Sequence, residues 1–368
     1  LYHGHTSGTT GSPLALVYDR EQLEWNRAAE KIVRHRAGLG CDDRVAVAFG
    51  RQVVPLHRRR PPYWTTNFID RELWLSTFPL SAHTATSYFE VLQAFRPVAL
   101  ETYPTVAYVL ALLARSTNRT IKLKRVLTTS ETLFPFQRDL IQETFGAEVF
   151  DYYALAERVL FAIECSRHEG LHLLEGFSYV EPGPDTFEER PAGLIASGLT
   201  NLAMPLLRYE VSDATSVLAK RCMCGFTSRR IAPVATKFED IIITPDGRYV
   251  SPSILTHPFK PLRGVLRSQI VQETLSQVIV RLETTQDFDS EQEAQLRQAL
   301  QSRLGRDVTL SIERCDELVP ERSGKFRWVI SRVKGVHQVG QMGEGTRDSL
   351  QKRAMFRAEF DGADNAGG

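Results

Sequence analysis

Residues Lys124–Glu157 read KRVLTTSETLFPFQRDLIQETFGAEVFDYYALAE. Lys124 to Thr129 reads as a strand. Pro135 opens a helix through Phe145, because a first helical turn tolerates a residue without an N–H, and Gly146 stops it. Glu148 to Asp151 reads as the next strand. A strand, a crossover helix and a second strand in one stretch form a βαβ unit, so an α/β domain with a buried, mostly parallel sheet is expected. The same rhythm continues towards the N-terminus. Pro104 opens a helix through Ala114, with Val106 to Leu113 as its buried face, and Arg44 to Phe49 alternates apolar and polar as a strand does. Asp19 is placed to cap a helix over Arg20–Arg36, with Gln22 set for a capping box and Gly38 to end it.

Beyond about Pro233 the pattern changes. Asp240 to Ser251 reads as a hairpin around Pro245-Asp246-Gly247, and Gln269 to Glu283 is rich in strand formers. Ser290-Glu291-Gln292-Glu293 reads as a capping box ahead of a helix with Leu296, Leu300 and Leu304 on one face and Gly305 at its end. Asp307 to Glu313 is another strand. The expected organisation is a large α/β domain over residues 1–235, a small α+β domain over 236–333 and a polar, glycine-rich, disordered tail over 334–368.

Composition narrows the function classes. The chain has 368 residues, 42% hydrophobic, with a formal net charge of +1, so nothing global points to nucleic acid or an anionic membrane. Its longest apolar run, Val106 to Ala114, is too short to span a bilayer. Five scattered cysteines argue against a disulfide framework and for a reducing, cytoplasmic compartment; Cys41 and Cys315 read as lone buried thiols. No basic-then-apolar leader precedes the first motif.

Four blocks carry candidate chemistry. The first, His5-Thr6-Ser7-Gly8-Thr9-Thr10-Gly11-Ser12-Pro13, sets hydroxyls among glycines. Glycine lets the backbone approach a ligand closely, and hydroxyls and bare amides donate to phosphate oxygens. No Gly-Lys-Ser/Thr follows, which excludes a Walker loop. The second, Asp151-Tyr152-Tyr153-Ala154-Leu155-Ala156-Glu157, offers an aromatic to stack on a purine and a carboxylate for Mg²⁺, beside the strand ends where α/β sheets bind ligands. The third, Leu199 to Asp213, ends in a carboxylate whose two oxygens can accept from both hydroxyls of a ribose. The fourth, Arg322-Ser323-Gly324-Lys325-Phe326-Arg327, is a basic loop able to carry an ammonium to a distant site.

In this order the blocks resemble the adenylate-forming superfamily, and most closely its phenylacetate–CoA ligase branch with the CapK-type relatives of capsular polysaccharide synthesis. Leu127-Thr128-Thr129-Ser130-Glu131, Cys222-Met223-Cys224-Gly225, Gln269-Ile270-Val271-Gln272-Glu273 and Gly324-Lys325-Phe326-Arg327 add to the match, which runs from about Tyr2 to Val333. The resemblance implies a ligase that activates a carboxylic acid with ATP as an acyl-adenylate and passes the acyl group to a thiol, usually CoA. By position, Ser7, Gly8, Thr9, Thr10 and Gly11 hold the β- and γ-phosphates, and Tyr153 faces adenine with Ser130 and Glu131 nearby. Glu157 binds Mg²⁺, Asp213 holds the ribose, and Lys325 on a rotating small domain bridges carboxylate and α-phosphate, with Glu239 at the hinge. The resemblance also implies a homodimer and an absent segment ahead of the phosphate loop.

Three departures stand out. Ala154 replaces a glycine, Thr236-Lys237 replaces Gly-Arg, and Ser212 replaces a glycine before the ribose carboxylate. Lys237 keeps a charge on the nucleotide but loses a planar fork. Two alternatives therefore stand beside the ligase: adenylation with a non-CoA acceptor, or a degenerate fold that binds nucleotide without turnover. Some relatives carry a structural metal at matching positions, which implies tetrahedral zinc on Cys165, His172, Cys222 and Cys224, with His168 as the alternative imidazole. Arg58-Arg59-Arg60-Pro61-Pro62 is the strongest basic run: a solvated loop, or a contact for CoA phosphates or an acidic partner.

Overall fold

The structure, a computed structural model, describes residues 1–5, 14–56, 58–183, 193–211, 213, 215–234, 241–250, 252–318 and 328–333. At its centre the strands Glu72–Leu75, Val45–Ala48, Ala99–Thr102, Arg125–Thr128 and Glu148–Ala154 lie side by side and parallel. Antiparallel strands extend both edges: Trp64–Asn67 on one, and Phe161–Glu164, Leu171–Leu173, Arg230–Ile231 and Val217–Leu218 on the other, making a ten-stranded sheet. The central strands are nearly continuous apolar runs because helices cover them. The expected α/β architecture is present.

Helix α1, Arg20–Arg36, buries Ala29 and Val33 against Leu127, Phe150, Tyr152, Phe161 and Ile163. Its N-cap is Asp19, whose carboxylate accepts from the Gln22 amide at 2.6 Å, but the reciprocal half of the box is not formed, and the Gln22 side-chain amide is buried without a partner among the described residues. Helix α2 spans Ala85–Phe95. Helix α3, Pro104–Ser116, runs two residues past the expected end and is buried from Pro104 to Leu110. Helix α4, Pro135–Phe145, ends at Gly146 in a left-handed conformation, as read from sequence. The strand expected over Glu148 to Asp151 continues to Ala154 and turns back antiparallel into Phe161–Glu164, so Tyr153 is a strand residue.

The C-terminal part contains the hairpin Ile242–Ile243/Tyr249–Val250, the short helix α5 (Pro252–Thr256) and a four-stranded sheet in the order Thr309–Cys315, Gln277–Thr284, Val265–Thr274, Val329–Ser331. Helix α6, Ser290–Leu304, lays Leu296, Leu300 and Leu304 on this sheet. Its N-cap is Asp289, accepting from the Gln292 amide at 2.9 Å, one residue earlier than the Ser290 cap expected. Aspartate accepts through a short charged arm at that position, which the serine one step later cannot reach. Cys41 is exposed and Cys315 half-buried, so neither is the buried thiol expected; both sit at strand or turn edges.

The last carbonyls of α6 have no helical partner. Arg248 supplies one: its guanidinium donates to Arg303 O at 2.8 Å and Leu304 O at 2.9 Å, and also to Phe78 O at 3.2 Å, while pairing with Asp246 at 2.8 Å. One cation thus joins the hairpin, the C-terminus of α6 and the loop after Glu72–Leu75, where Tyr249 N–H also donates to Leu80 O. Gly305 is required beside it: φ is +97°, and a Cβ there would lie 2.6 Å from Arg248 Nη2. Arg248→Ala leaves three carbonyls unpaired, and a loss of about 2–3 kcal/mol is expected, read from urea midpoints.

Candidate functional site

The extended strand Glu148–Ala154 presents Tyr153 at its C-terminal end, and Glu157 follows in the turn. Asp213 follows Tyr209–Val211, an edge strand of the second, three-stranded sheet Ser178–Pro182/Leu194–Gly198/Tyr209–Val211. The fold brings them together. Tyr153 Oη donates to Asp213 Oδ2 at 2.6 Å across 60 residues, and Tyr209 Oη donates to Glu157 Oε1 at 2.8 Å across 52. Burial first, then the neighbouring Asp213 carboxylate, holds the Tyr153 phenol well above its usual range. Burial and Glu157 do the same to Tyr209. Both phenols therefore stay protonated and serve as fixed donors. Sequence reading missed Tyr209, although it lies inside the third block; a tyrosine on a strand looks like core until its partner is known.

The N-terminal hairpin Tyr2–His5/Ala15–Tyr18 closes on the same place. Tyr18 Oη donates to Ala156 O at 2.6 Å, and Asn201 Nδ2 donates to Val17 O at 2.9 Å. The hairpin's connecting loop holds Ser7, Gly8, Thr9, Thr10 and Gly11, which lie outside the described residues, as do Ser212, Thr236, Lys237, Glu239, Lys325 and residues 334–368. Ser130 has φ +69°, a turn conformation at the end of Arg125–Thr128. Glu131 accepts from Thr105 N–H at 3.1 Å and Thr105 Oγ1 at 2.6 Å, so its carboxylate sits on the positive end of α3.

Behind Tyr153 lies a buried carboxyl pair that sequence reading also missed. Thr128 Oγ1 donates to Asp151 Oδ1 at 2.7 Å, and Asp151 N–H donates to Glu164 at 2.9 Å. Arg138 and His168 pair with Glu164 at 2.7 and 3.0 Å. Burial opposes ionisation of Glu164, but hydrogen bonds from His168 and Arg138 outweigh it and hold this carboxyl low. Burial, reinforced by the Glu164 charge, pushes Asp151 up to about 8. Unfolded, an aspartate ionises near ~4. Below that pH both states hold the proton; from there up to about 8 only the folded state does, so this group's contribution to stability is lost as pH rises through that window. Asp151→Asn keeps the acceptor for Thr128 and removes the titration. Wild type is expected to lose stability relative to this variant between pH 5 and pH 7.5, measured by urea midpoints at both.

A second cluster lies at the antiparallel edge of the large sheet. Cys165 follows Phe161–Glu164, His172 is on Leu171–Leu173, and Cys222 and Cys224 come from the loop before Arg230–Ile231. Their ligating atoms all lie within 4.8 Å of one another. Cys165 Sγ and Cys222 Sγ are 3.7 Å apart, close to the ~3.8 Å edge of a tetrahedron with metal–sulfur bonds of about 2.3 Å. Cys224 Sγ is 3.3 Å from His172 Nε2. His172 Nδ1 is 3.2 Å from Ser228 O, which fixes the proton on Nδ1 and turns Nε2 inward, and burial lowers its pKa, so the imidazole is neutral. Burial pushes the Cys165 thiol up to about 12, an environment in which a metal would have to hold the thiolate. The residues fit a four-ligand, closed zinc site. His168 is not a member; it faces Glu164 and Glu148.

Residues 242–332 match the CapK C-terminal domain family. Protein CapK of Staphylococcus aureus is 22% identical over 337 residues, covering 89% of this chain and 74% of that protein. The phenylacetate–coenzyme A ligase of Thermus thermophilus is 27% identical over 254 residues, covering 65% of this chain and 55% of the ligase. The chain is thus similar to CapK and to phenylacetate–CoA ligases, and its C-terminal part matches the CapK C-terminal domain. A crystal structure of 2-hydroxyisobutyryl-CoA ligase in complex with 2-HIB-AMP and CoA superposes on this chain with a TM-score of 0.54 at 19% identity, covering 91% of this chain and 74% of that one, which is agreement of fold. Among the described residues no helix is long and apolar enough to cross a membrane.

Proposed function

We propose that the protein is an AMP-forming acid–thiol ligase. A carboxylate oxygen of the acid attacks the α-phosphorus of ATP and pyrophosphate leaves; the sulfur of CoA then attacks the acyl carbon and AMP leaves. The convergence of Tyr153, Asp213, Glu157 and Tyr209 at the C-terminal rim of the parallel strands carries the reading. Open α/β sheets bind ligands at that rim. Tyr153 offers a ring face to adenine, while the Asp213 oxygen not taken up by Tyr153 is available to the ribose hydroxyls. Glu157 is the carboxylate that would hold Mg²⁺, which supplies charge neutralisation on the phosphates. The phosphate-loop residues Ser7 to Gly11, with Ser130, Glu131 and Lys237, complete the proposed nucleotide site, and Lys325 supplies the cation between two mutually repelling anions. Several similar proteins are CoA ligases by name, which supports CoA as acceptor. Transfer to a non-CoA acceptor is the alternative that the likeness to CapK keeps open.

The reading further places zinc on Cys165, His172, Cys222 and Cys224 as a structural ion, and a lobe boundary between residues 235 and 236, which the start of the CapK C-terminal match at residue 242 supports. It also places a homodimer in the cytoplasm, which the family resemblance and the free cysteines support.

ATP–pyrophosphate exchange across aryl and aliphatic acids tests the function. Acid-dependent exchange is expected; its absence with every acid would favour a binding protein without turnover. Exchange without thioester on adding CoA would favour the other acceptor. Asp213→Asn keeps an acceptor for Tyr153 but gives up the charge facing the ribose. AMP affinity is expected to fall about tenfold, the equivalent of one charge-assisted hydrogen bond, measured by calorimetry.

A further inference from the structure

Between Asp43 and Asp70 the chain has no acidic residue but carries Arg44, Arg51, Arg58, Arg59 and Arg60. Arg44 is accounted for by the ring of Phe95. Arg51 lies over the ring of Trp74 at 4.5 Å. Arg58, Arg59 and Arg60, with Pro55 and Pro61, line an open surface concavity of about 460 Å³. Among the described residues none of these three forms an ion pair, whereas Arg34, Arg138, Arg208, Arg229 and Arg248 each face a carboxylate. Arg58 Nη1 donates to Pro62 O at 3.4 Å, and the three adjacent guanidinium groups, with no carboxylate paired to them among the described residues, make this surface positive and suited to an anion of several charges.

The loop is held in place. Arg58 N–H donates to Pro55 O at 2.9 Å, and Tyr63 Oη donates to Arg59 O at 2.9 Å, with the Tyr63 ring stacked on buried Tyr88. The loop also begins at the candidate site: it leaves the C-terminal end of Val45–Ala48, where Gly50 N–H donates to Tyr103 Oη at 3.3 Å and the Phe49 and Tyr103 rings touch. Tyr103 is the N-cap residue of α3, two positions from the Thr105 that Glu131 binds.

We propose that Arg58, Arg59 and Arg60 form a binding site for the phosphates of the acceptor's 3′-phosphoadenosine diphosphate portion. This rests on the reading of CoA as acceptor. A planar guanidinium grips two phosphate oxygens at once, and a concavity with three of them suits a ligand that carries a phosphomonoester beside a diphosphate.

Adenosine 3′,5′-bisphosphate is the probe, because its binding is read by calorimetry without any turnover. Full-length protein is expected to bind it. Affinity should fall at least tenfold in R58A/R59A/R60A and by a smaller factor in R58K/R59K/R60K, which keeps the charge and loses the planar fork, with unchanged melting temperatures. In turnover the alanine variant should raise KM for CoA at least tenfold and leave KM for pantetheine, which lacks the nucleotide, within twofold. Absence of bisphosphate binding in the wild type, equal affinity in the alanine variant, or equal shifts in both KM values would overturn the proposal. Exchange activity without bisphosphate binding would remove this site and leave acid activation standing; bisphosphate binding without exchange would do the reverse.

Discussion

Cys222→Ser combined with Cys224→Ser is expected to abolish stoichiometric zinc and to lower stability by about 4 kcal/mol, the chain-entropy value of a cross-link that closes a loop of this length. The loop in question separates Cys165 from Cys222 by 57 residues. Those residues include the strands Leu171–Leu173, Ser178–Pro182, Leu194–Gly198 and Tyr209–Val211, and so the backbone that delivers Tyr209 and Asp213 to the site. Other tethers in the region are Arg229, which pairs with a half-exposed Glu175 at 2.8 Å and donates to Val180 O at 2.8 Å, the buried Arg230, which donates to Glu169 O and to Lys220 O, and the pairing of Leu171–Leu173 with Arg230–Ile231, so the segment keeps its sheet contacts when the metal is lost. A chelator should act as the double substitution does, and added zinc should reverse the chelator only. Elemental analysis of purified protein together with urea unfolding checks this; wild-type protein free of zinc and as stable as the variant would rule out the metal. The double variant should also weaken AMP binding, because Asp213 depends on the loop it closes.

Lys325→Ala is expected to lower the adenylation half-reaction by about two to three orders of magnitude, the usual effect of removing a cation or donor from charge building in a transition state. The reactants are a carboxylate and a triphosphate, so the ammonium both lowers their repulsion and stabilises the charge developing on the α-phosphate. Thiolysis of acyl-adenylate supplied from outside should fall far less, since that step needs no cation between two anions. Exchange and single-turnover thioester formation, measured on the same variant, separate the two; equal losses in both would remove Lys325 from the role proposed. Arg248 sets a related limit. It ties α6 to the loop after Glu72–Leu75, so a rotation of residues 236–333 away from the large domain has to break its bond to Phe78 O and the Tyr249 N–H bond to Leu80 O, while its bonds to Arg303 O and Leu304 O stay within that lobe.

Much of the fold was legible in local chemistry. Pro104 and Pro135 start helices, Gly38 and Gly146 mark helix ends, and the Pro245-Asp246-Gly247 turn makes a hairpin, because each acts within a few residues on backbone dihedrals and unpaired amides. Errors appeared where two neighbours compete for one local role. Asp289 outcompetes Ser290 as a cap, and the strand ending in Tyr153 runs on past Asp151 because the returning strand Phe161–Glu164 offers it hydrogen bonds that no local pattern announces.

The four ordered blocks, the helix ends and the family resemblance of this chain were properties of its residues taken in order. Which groups face one another was decided in three dimensions. Tyr153 meets Asp213, Tyr209 meets Glu157, Glu131 sits on α3, and His172 rather than His168 joins the cysteines. His168 and His172 are four residues apart and chemically identical; only the register of Leu171–Leu173 between Phe161–Glu164 and Arg230–Ile231 turns one towards sulfur and leaves the other among carboxylates. Propensity acts through bonds to near neighbours, whereas a site is assembled by sheet pairing between segments that the sequence separates by dozens of residues.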